Sequence, residues 1–124
     1  MPKKPNTLFI ITDQQYAGAM SCAGNPDVHT PNMDSLAKTG TRFTRAYCTH
    51  PLCGPQRASF MTGLYPHQNG STDNGTPLNP ELKGQTLSNF LTHAGYDCAL
   101  SGKWHVGGTT PEECGLEVIC GNRD

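Results

Sequence analysis

Three short runs of residues, each followed by a cluster of polar side chains, constrain the fold of this chain more than any other feature. Residues 7–12 (TLFIIT) are apolar and β-branched, residues 41–47 (TRFTRAY) alternate, and residues 96–100 (YDCAL) form a short third run. Runs of this kind predict strands. Ligands commonly bind where parallel strands end. The pattern therefore predicts an α/β fold with a mainly parallel sheet.

Helical patterns lie between these runs. Residues 31–40 begin with proline, which suits the first helical position, follow a threonine that can cap the helix, and end at glycine. Residues 86–94 carry leucine and phenylalanine on one face and stop before a glycine, so they predict a helix. We expect a two-turn helix over about 57–63, because prolines and a glycine forbid regular structure before it. Residues 66–85 predict a loop, and the tail from residue 108 shows no period.

Length and composition exclude several classes of function. The 124 residues allow one domain, and the net charge of −1 lacks the positive field that attracts nucleic acid. The longest apolar cluster, residues 8–11, is far shorter than a membrane-spanning helix and shorter than a signal-peptide core. We therefore expect no nucleic-acid or membrane partner and, by default, a cytoplasmic chain. The six cysteines lack the spacing of a disulfide framework.

The polar clusters after the predicted strands suit a divalent cation and an anionic substrate. Asp13 and Gln14 follow the first strand, residues 53–57 the second and residues 103–105 the third. Carboxylate and amide oxygens are ligands for calcium or magnesium. Arginine and lysine neutralise the charge of an oxyanion in a transition state. We expect the clusters to converge at one edge of the sheet.

Two segments resemble the signatures of one enzyme family. Residues 53–63 (CGPQRASFMTG) are similar to the sulfatase signature, C-x-P-x-R followed by a hydrophobic residue and T-G. Residues 102–107 (GKWHVG) resemble the second sulfatase signature, and the resemblance runs from about residue 6 to residue 108. It implies a sulfuric ester hydrolase with an alkaline-phosphatase-like α/β fold, in which helices flank a mainly parallel central sheet.

The resemblance also implies roles for single residues. Cys53 matches the cysteine that sulfatases convert to formylglycine, whose hydrate attacks sulfur and then releases sulfate as the aldehyde re-forms. Pro55 and Arg57 match the residues that mark this cysteine for modification, and Arg57 would then hold the hydrated aldehyde. Lys103 matches the lysine that contacts formylglycine and sulfate, and His105 matches a histidine that bonds the formylglycine hydroxyl and assists release as a base.

The implied cofactor is calcium, with magnesium as an alternative. Asp13 matches a calcium ligand, and Gln14 stands where many sulfatases have a second aspartate; Cys53 is the third candidate ligand. An amide oxygen brings no charge, so the site would hold the cation less tightly or draw on another carboxylate. The implied partners are a sulfated small molecule or carbohydrate, for which Lys103 and His67 are candidate contacts, and a formylglycine-generating or radical-type maturation enzyme.

Length separates the chain from the family it resembles. Sulfatases are several-fold longer, and their remaining metal ligands, an Asp with an Asn or His, lie far downstream. Nothing after Gly108 matches them, so we expect residues 1–124 to be the N-terminal part of a sulfatase catalytic domain, with the downstream half of the active site absent. We do not expect these residues alone to be fully active. Sulfatases are often periplasmic, secreted or lysosomal.

Two further interpretations stay open. A phosphonate or phosphate ester hydrolase of the same superfamily would use the same nucleophile and cation, since both substrates are tetrahedral anions. The second open interpretation is a small zinc-binding module. A thiol phosphatase is disfavoured, because only three residues separate the cysteine from the arginine. The candidate zinc ligands are Cys48, His50 and Cys53, with His67 or Cys98 as the fourth.

Overall fold

The computed structural model describes residues 4–121, which divide into two compact units. The first unit ends at Ala46 and the second begins at Tyr47. Within the described residues the longest helix has ten residues, and no helix there has the length and apolar character needed to cross a bilayer.

The first unit contains helix α1, Pro31–Thr39. The predicted helix over 31–40 is confirmed, with proline at its first position and Gly40 just past its end. Thr30 occupies the cap position, but its hydroxyl makes no bond to a helix N–H. It donates instead to the Asp34 carboxylate at 3.2 Å. That carboxylate also ties down a 3-10 turn at Ser21–Ala23, so α1 and the turn form one hydrogen-bonded group.

Two of the three predicted strands are not strands in this structure. Residues 7–12 and 41–47 form no ladder with any described segment. The side chains of Leu8 and Ile10 are 84% and 70% exposed. A strand exists only when a neighbour accepts and donates its backbone hydrogen bonds. The predictions for these two runs were wrong. The pattern of side chains shows that a segment could form a strand, but a strand also needs a neighbouring segment that pairs with its backbone.

The second unit is built on helix α2, Cys53–Thr62. This helix begins before the predicted start near Arg57, so the expectation that proline and glycine delay it was wrong. Pro55 stands in the first turn, where a backbone N–H has no helical partner and its loss costs little. Gly63 ends the helix in the left-handed conformation, with φ of 70°, as the sequence predicted.

Short helices follow α2. The segment 66–85, predicted as loop, contains α3, Pro66–Asn69, and a 3-10 turn at Pro80–Leu82. Helix α4, Leu87–His93, confirms the predicted helix over 86–94. Its Thr86 cap and Asn89 exchange side-chain and backbone hydrogen bonds, which satisfies two N–H groups at the helix start.

The sheet has two parallel strands in the described residues, β1 (Ala99–Ser101) and β2 (Glu117–Cys120). Ala99 lies opposite Glu117 and Leu100 opposite Val118, with an irregularity before Ser101. The predicted strand over 96–100 is thus partly confirmed, two residues of it lying in β1. Strand β2 falls in the tail where the sequence showed no period.

The core of the second unit joins the two signature segments. Ala58 of α2 is fully buried, and Trp104 and Val106 from the segment after β1 are 4% and 3% exposed. The Trp104 ring nitrogen donates to the Thr109 carbonyl at 3.1 Å, so the large indole is buried with its polar atom satisfied. Packing of this indole holds residues 103–106 in place relative to α2. The remaining buried core residues are Leu78 and Cys114.

Candidate active site

Cys53 is the first residue of α2 and is half-buried. The helix end beside it carries backbone N–H groups without helical partners and the positive end of the helix dipole. The Gly54 N–H donates to the side-chain oxygen of Asn74 at 3.0 Å, and the third helical residue is a proline without an N–H. The dipole of α2 favours negative charge on the side chain of residue 53, although Asn74 already takes up the Gly54 N–H and Pro55 offers none.

Arg57 connects the first signature to the second. It follows Cys53 by four residues, so the two side chains share one face of α2. Its guanidinium donates to the Lys103 carbonyl at 2.6 Å. Both Arg57 and Lys103 are half-buried. The structure thus brings Arg57, which shares a helix face with Cys53, into contact with the backbone of Lys103, and the catalytic roles of these residues stay predictions.

His105 has two unusual features. Its φ is 54°, in the left-handed region that non-glycine residues seldom occupy. Its Nδ1 atom is buried, and no described residue hydrogen-bonds to it. A strained backbone and an unsatisfied buried nitrogen each cost stability, of the order of 1–3 kcal/mol. Such features concentrate where a side chain is held ready for a ligand or a reaction.

Glycines allow the site segments to approach closely. A Cβ on Gly54 would lie 3.3 Å from the Asn74 oxygen and 3.4 Å from the His105 carbonyl. A Cβ on Gly107 would lie 2.7 Å from the Thr76 carbonyl. The segment 73–78 therefore lies against both the start of α2 and the second signature.

Asn74 is a site residue that the sequence analysis missed. It is exposed, and its side-chain oxygen accepts a hydrogen bond from the Gly54 N–H at 3.0 Å. Nothing in the local sequence distinguishes it from an ordinary loop asparagine. Its only signal was its place in a polar segment that follows the signature helix.

His67 and Asn69 lie past the C-terminal end of α2, while Cys53 stands at its N-terminal end. Ten helical residues span about 15 Å. His67 stacks on Tyr65, with ring centroids 5.8 Å apart, and its predicted contact with substrate stays a prediction. Asn69 is fully buried and bonds to the Leu64 carbonyl at 3.2 Å, so its role is structural.

The predicted metal ligands Asp13 and Gln14 belong to the first unit and Cys53 to the second. The shared calcium site therefore stays a prediction. Gln14 has a φ of 53°, a strained conformation for glutamine. An aspartate carboxylate next to an amide oxygen suits calcium chemically, as part of the six to eight oxygen ligands that this ion takes.

No zinc-like cluster exists in the part of the chain that the structure describes. Residues 4–121 contain no group of three or more His, Cys, Asp or Glu side chains placed to hold a metal ion. The hypothesis of a zinc module is therefore wrong. Its candidate ligands, Cys48, His50 and Cys53 with His67 or Cys98, all lie in the described part.

Comparison with known proteins decides the family. The sulfatase family model matches residues 5–121, which is nearly the whole chain. The chain belongs to the sulfatase family. The resemblance seen in the two signatures is confirmed, and Cys53, Arg57, Lys103 and His105 all lie within the matched residues.

Relatives and solved structures agree with this assignment. The chain is 44% identical over 104 residues to an N-acetylglucosamine-6-O-sulfatase of Bacteroides thetaiotaomicron, covering 84% of this chain and 18% of that sulfatase. A solved structure in complex with its substrate, D-glucosamine-2-N,6-O-disulfate, shares 44% identity and a TM-score of 0.78 over 84% of this chain and 21% of its own.

A phosphonate monoester hydrolase of Agrobacterium radiobacter is also similar, with 28% identity and a TM-score of 0.73 over 88% of this chain and 24% of that chain. The structural matches confirm the predicted α/β fold of the alkaline-phosphatase-like type. The chain spans about a fifth of the length of the sulfatases it matches.

Proposed function

We propose that this chain carries the nucleophile of a sulfuric ester hydrolase, with Cys53 as the precursor of a formylglycine. One observation supports the proposal above the rest. In a chain matched by the sulfatase model, the Arg57 guanidinium bonds the Lys103 carbonyl at 2.6 Å and so fixes the second signature beside the helix that Cys53 begins.

The chemistry requires a nucleophile that can release its product without attack of water on sulfur. Hydrated formylglycine at position 53 is a geminal diol. One hydroxyl attacks the sulfur of the ester, and the alcohol leaves with a proton. Loss of the proton of the second hydroxyl then re-forms the aldehyde and expels sulfate. His105, whose Nδ1 has no hydrogen-bond partner among residues 4–121, is the proposed base for that proton.

Positive charge around the nucleophile stabilises the transferred group. The guanidinium of Arg57, the ammonium of Lys103 and the dipole of α2 each favour negative charge. The proposed cation is calcium, which when bound supplies further positive charge to sulfate oxygens. Asp13 and Gln14 would provide two of its oxygen ligands.

The proposed substrate is a sulfated carbohydrate. A similar solved structure holds a disulfated glucosamine, and a relative is named for its action on N-acetylglucosamine-6-O-sulfate esters. Lys103 is the proposed contact to sulfate. The amide N–H groups of Asn74 are available to a sugar hydroxyl at the rim, while His67 stays a predicted contact. A formylglycine-generating or radical-type enzyme is the proposed maturation partner.

Phosphonate monoester hydrolysis is the second candidate, because a solved enzyme of that activity matches 88% of the chain. Two chromogenic esters with the same leaving group separate the candidates: 4-nitrophenyl sulfate and 4-nitrophenyl phenylphosphonate. Because these residues are expected to hold only part of the site, after co-expression with a maturation enzyme we expect slow release of 4-nitrophenol from the sulfate, still above the level of a Cys53→Ala variant. Faster release from the phosphonate would favour the second candidate, and no release above the variant from either ester would contradict both.

A further inference from the structure

The peptide that leads into Cys53 is held by one side chain, that of Gln56. The Gln56 side-chain oxygen accepts a hydrogen bond from the Thr49 N–H at 2.8 Å, from the Thr49 hydroxyl at 3.0 Å and from the His50 N–H at 3.2 Å. An amide oxygen has two lone pairs, so three donors use its full accepting capacity.

Gln56 also fixes the other end of this peptide. Its own N–H donates to the Leu52 carbonyl at 3.1 Å, in the first turn of α2. The side chain holds Thr49 and His50 while the backbone holds Leu52. Residues 49–56 therefore form a loop closed by a single residue, and Cys53 lies inside that loop.

Few other hydrogen bonds order this segment among the residues that the structure describes. Pro51 has no N–H, and residues 48–52 belong to no helix or strand. Backbone polar groups that lose their partners open readily to solvent. A glutamine or a glutamate has the length to reach back seven residues from the helix. Asparagine is one methylene shorter.

We infer that Gln56 is a positioning residue that orients Cys53 through the segment 49–52. The signature that this chain resembles, C-x-P-x-R, leaves the position open, so the motif attaches no role to it. The catalytic consequence rests on the proposed function of Cys53. The placement of the thiol does not, and it can be tested on the unmodified chain.

The test uses four variants of the whole chain. Gln56→Glu keeps the oxygen and the length, Gln56→Asn keeps the amide but shortens the side chain, and Gln56→Ala removes both. Gln85→Ala is the matched control, because Gln85 is an exposed glutamine whose amide donates to the Glu81 carbonyl at 3.0 Å. Gln56→Asn serves as the test if Gln56→Ala does not fold.

Two readouts report on the segment and on the thiol. Amide hydrogen exchange at Thr49 and His50 follows the opening of the segment. The rate of alkylation of Cys53 by iodoacetamide at one pH, resolved by peptide mass spectrometry, follows its exposure. Cys98, which is half-buried, and Cys114, which is fully buried, are references in the same molecule.

We expect Gln56→Ala and Gln56→Asn to accelerate exchange at Thr49 and His50 by at least about tenfold, since the donors lose their acceptor. Alkylation of Cys53 should rise several-fold relative to Cys98. Gln56→Glu and Gln85→Ala should stay within about twofold of the parent chain.

Unchanged exchange and alkylation in the shortened variants would overturn the inference. So would a Gln56→Glu variant that behaves like alanine, or equal acceleration at all three cysteines, which signals general destabilisation. Failure of Cys53 to become formylglycine in the parent chain would contradict the proposed function and leave these results unaffected.

Discussion

Arg57 makes the contact on which the candidate site depends most. Its guanidinium reaches the Lys103 carbonyl 46 residues away along the chain, and a hydrogen bond with a charged donor contributes about 1.5–3 kcal/mol. Few side chains reproduce this bond, because the planar guanidinium presents several donors in a fixed geometry.

We therefore expect Arg57→Ala to lower the free energy of unfolding by about 1–3 kcal/mol, with only partial recovery in Arg57→Lys. Urea unfolding followed by tryptophan fluorescence measures this directly, since Trp104 packs in the same core. Arg45→Ala, at an exposed position, is the control and should change stability by no more than about 0.5 kcal/mol. Equal stability of Arg57→Ala and the parent would show that the contact does not hold the segments together.

Some residues of the candidate site could be predicted from the sequence, and others could not. Cys53, Arg57, Lys103 and His105 were predicted as site residues because the two signatures resemble a family motif, whereas no local pattern marks Asn74. An amide oxygen that accepts from a backbone N–H 20 residues away is a property of the folded chain. The strain at His105 likewise has no counterpart in the sequence.

At the level of elements, the close approach of the second signature to segment 73–78 depends on Gly107. An added Cβ there would lie 2.7 Å from a backbone carbonyl, which cannot move as a flexible side chain can. Gly107→Ala should therefore destabilise the chain by about 1–3 kcal/mol through overpacking. Gly84→Ala is the matched control, because nothing lies within 4 Å of its added Cβ. Thermal unfolding of both variants checks this, and similar melting temperatures would contradict the close contact.

Helix α1 carries a pH-sensitive carboxylate. The Ser21 hydroxyl, at 2.7 Å, holds the pKa of Asp34 below its usual 3.8, with help from the Cys22 N–H at 2.8 Å. A carboxyl group whose pKa is lower in the folded state adds stability above the unfolded pKa and loses it as pH falls through the folded pKa. The first unit should thus lose stability below about pH 4.

The Asp34→Asn variant tests this titration. It removes the ionisable group, so its stability should depend less on pH between 2 and 5 than that of the parent chain. Amide chemical shifts of Cys22, followed during acid titration by NMR, locate the effect. If the stability of Asp34→Asn falls with acid as much as that of the parent chain, groups other than Asp34 cause the loss of stability.

Sequence predicted the helices better than the strands, for a physical reason. The proline that begins α1, the glycine just past its end and the threonine that caps α4 all act within a few residues. Strand pairing is nonlocal, so the run at 7–12 was predicted without a partner and β2 was missed. The start of α2 was misplaced because proline was treated as a helix breaker at a position in the first turn that tolerates it.

At the scale of the whole molecule, several large apolar side chains are exposed to solvent. Leu8 and Ile10 in the first unit are mostly exposed, although their type favours burial. We expect the chain to associate as its concentration rises, and Leu8→Ser with Ile10→Ser to reduce that association.

Size-exclusion chromatography with light scattering measures the change. Ile119→Ser is the control, because Ile119 is 71% exposed in the second unit and lies outside the 7–12 run. A parent chain that stays monomeric at all concentrations, or a control that dissociates as readily as the double variant, would contradict the prediction.

The most direct test of the account is the chemical state of residue 53 after co-expression with a formylglycine-generating enzyme. Trypsin releases residues 46–57 (AYCTHPLCGPQR), which contain both Cys53 and Cys48. We predict a mass loss of about 18 Da, located at residue 53 by fragment ions, with Cys48 remaining a thiol. Pro55→Ala and Arg57→Ala should each reduce the conversion. A Cys53 that remains a thiol, or a loss shared equally with Cys48, would contradict the assignment of Cys53 as the nucleophile precursor.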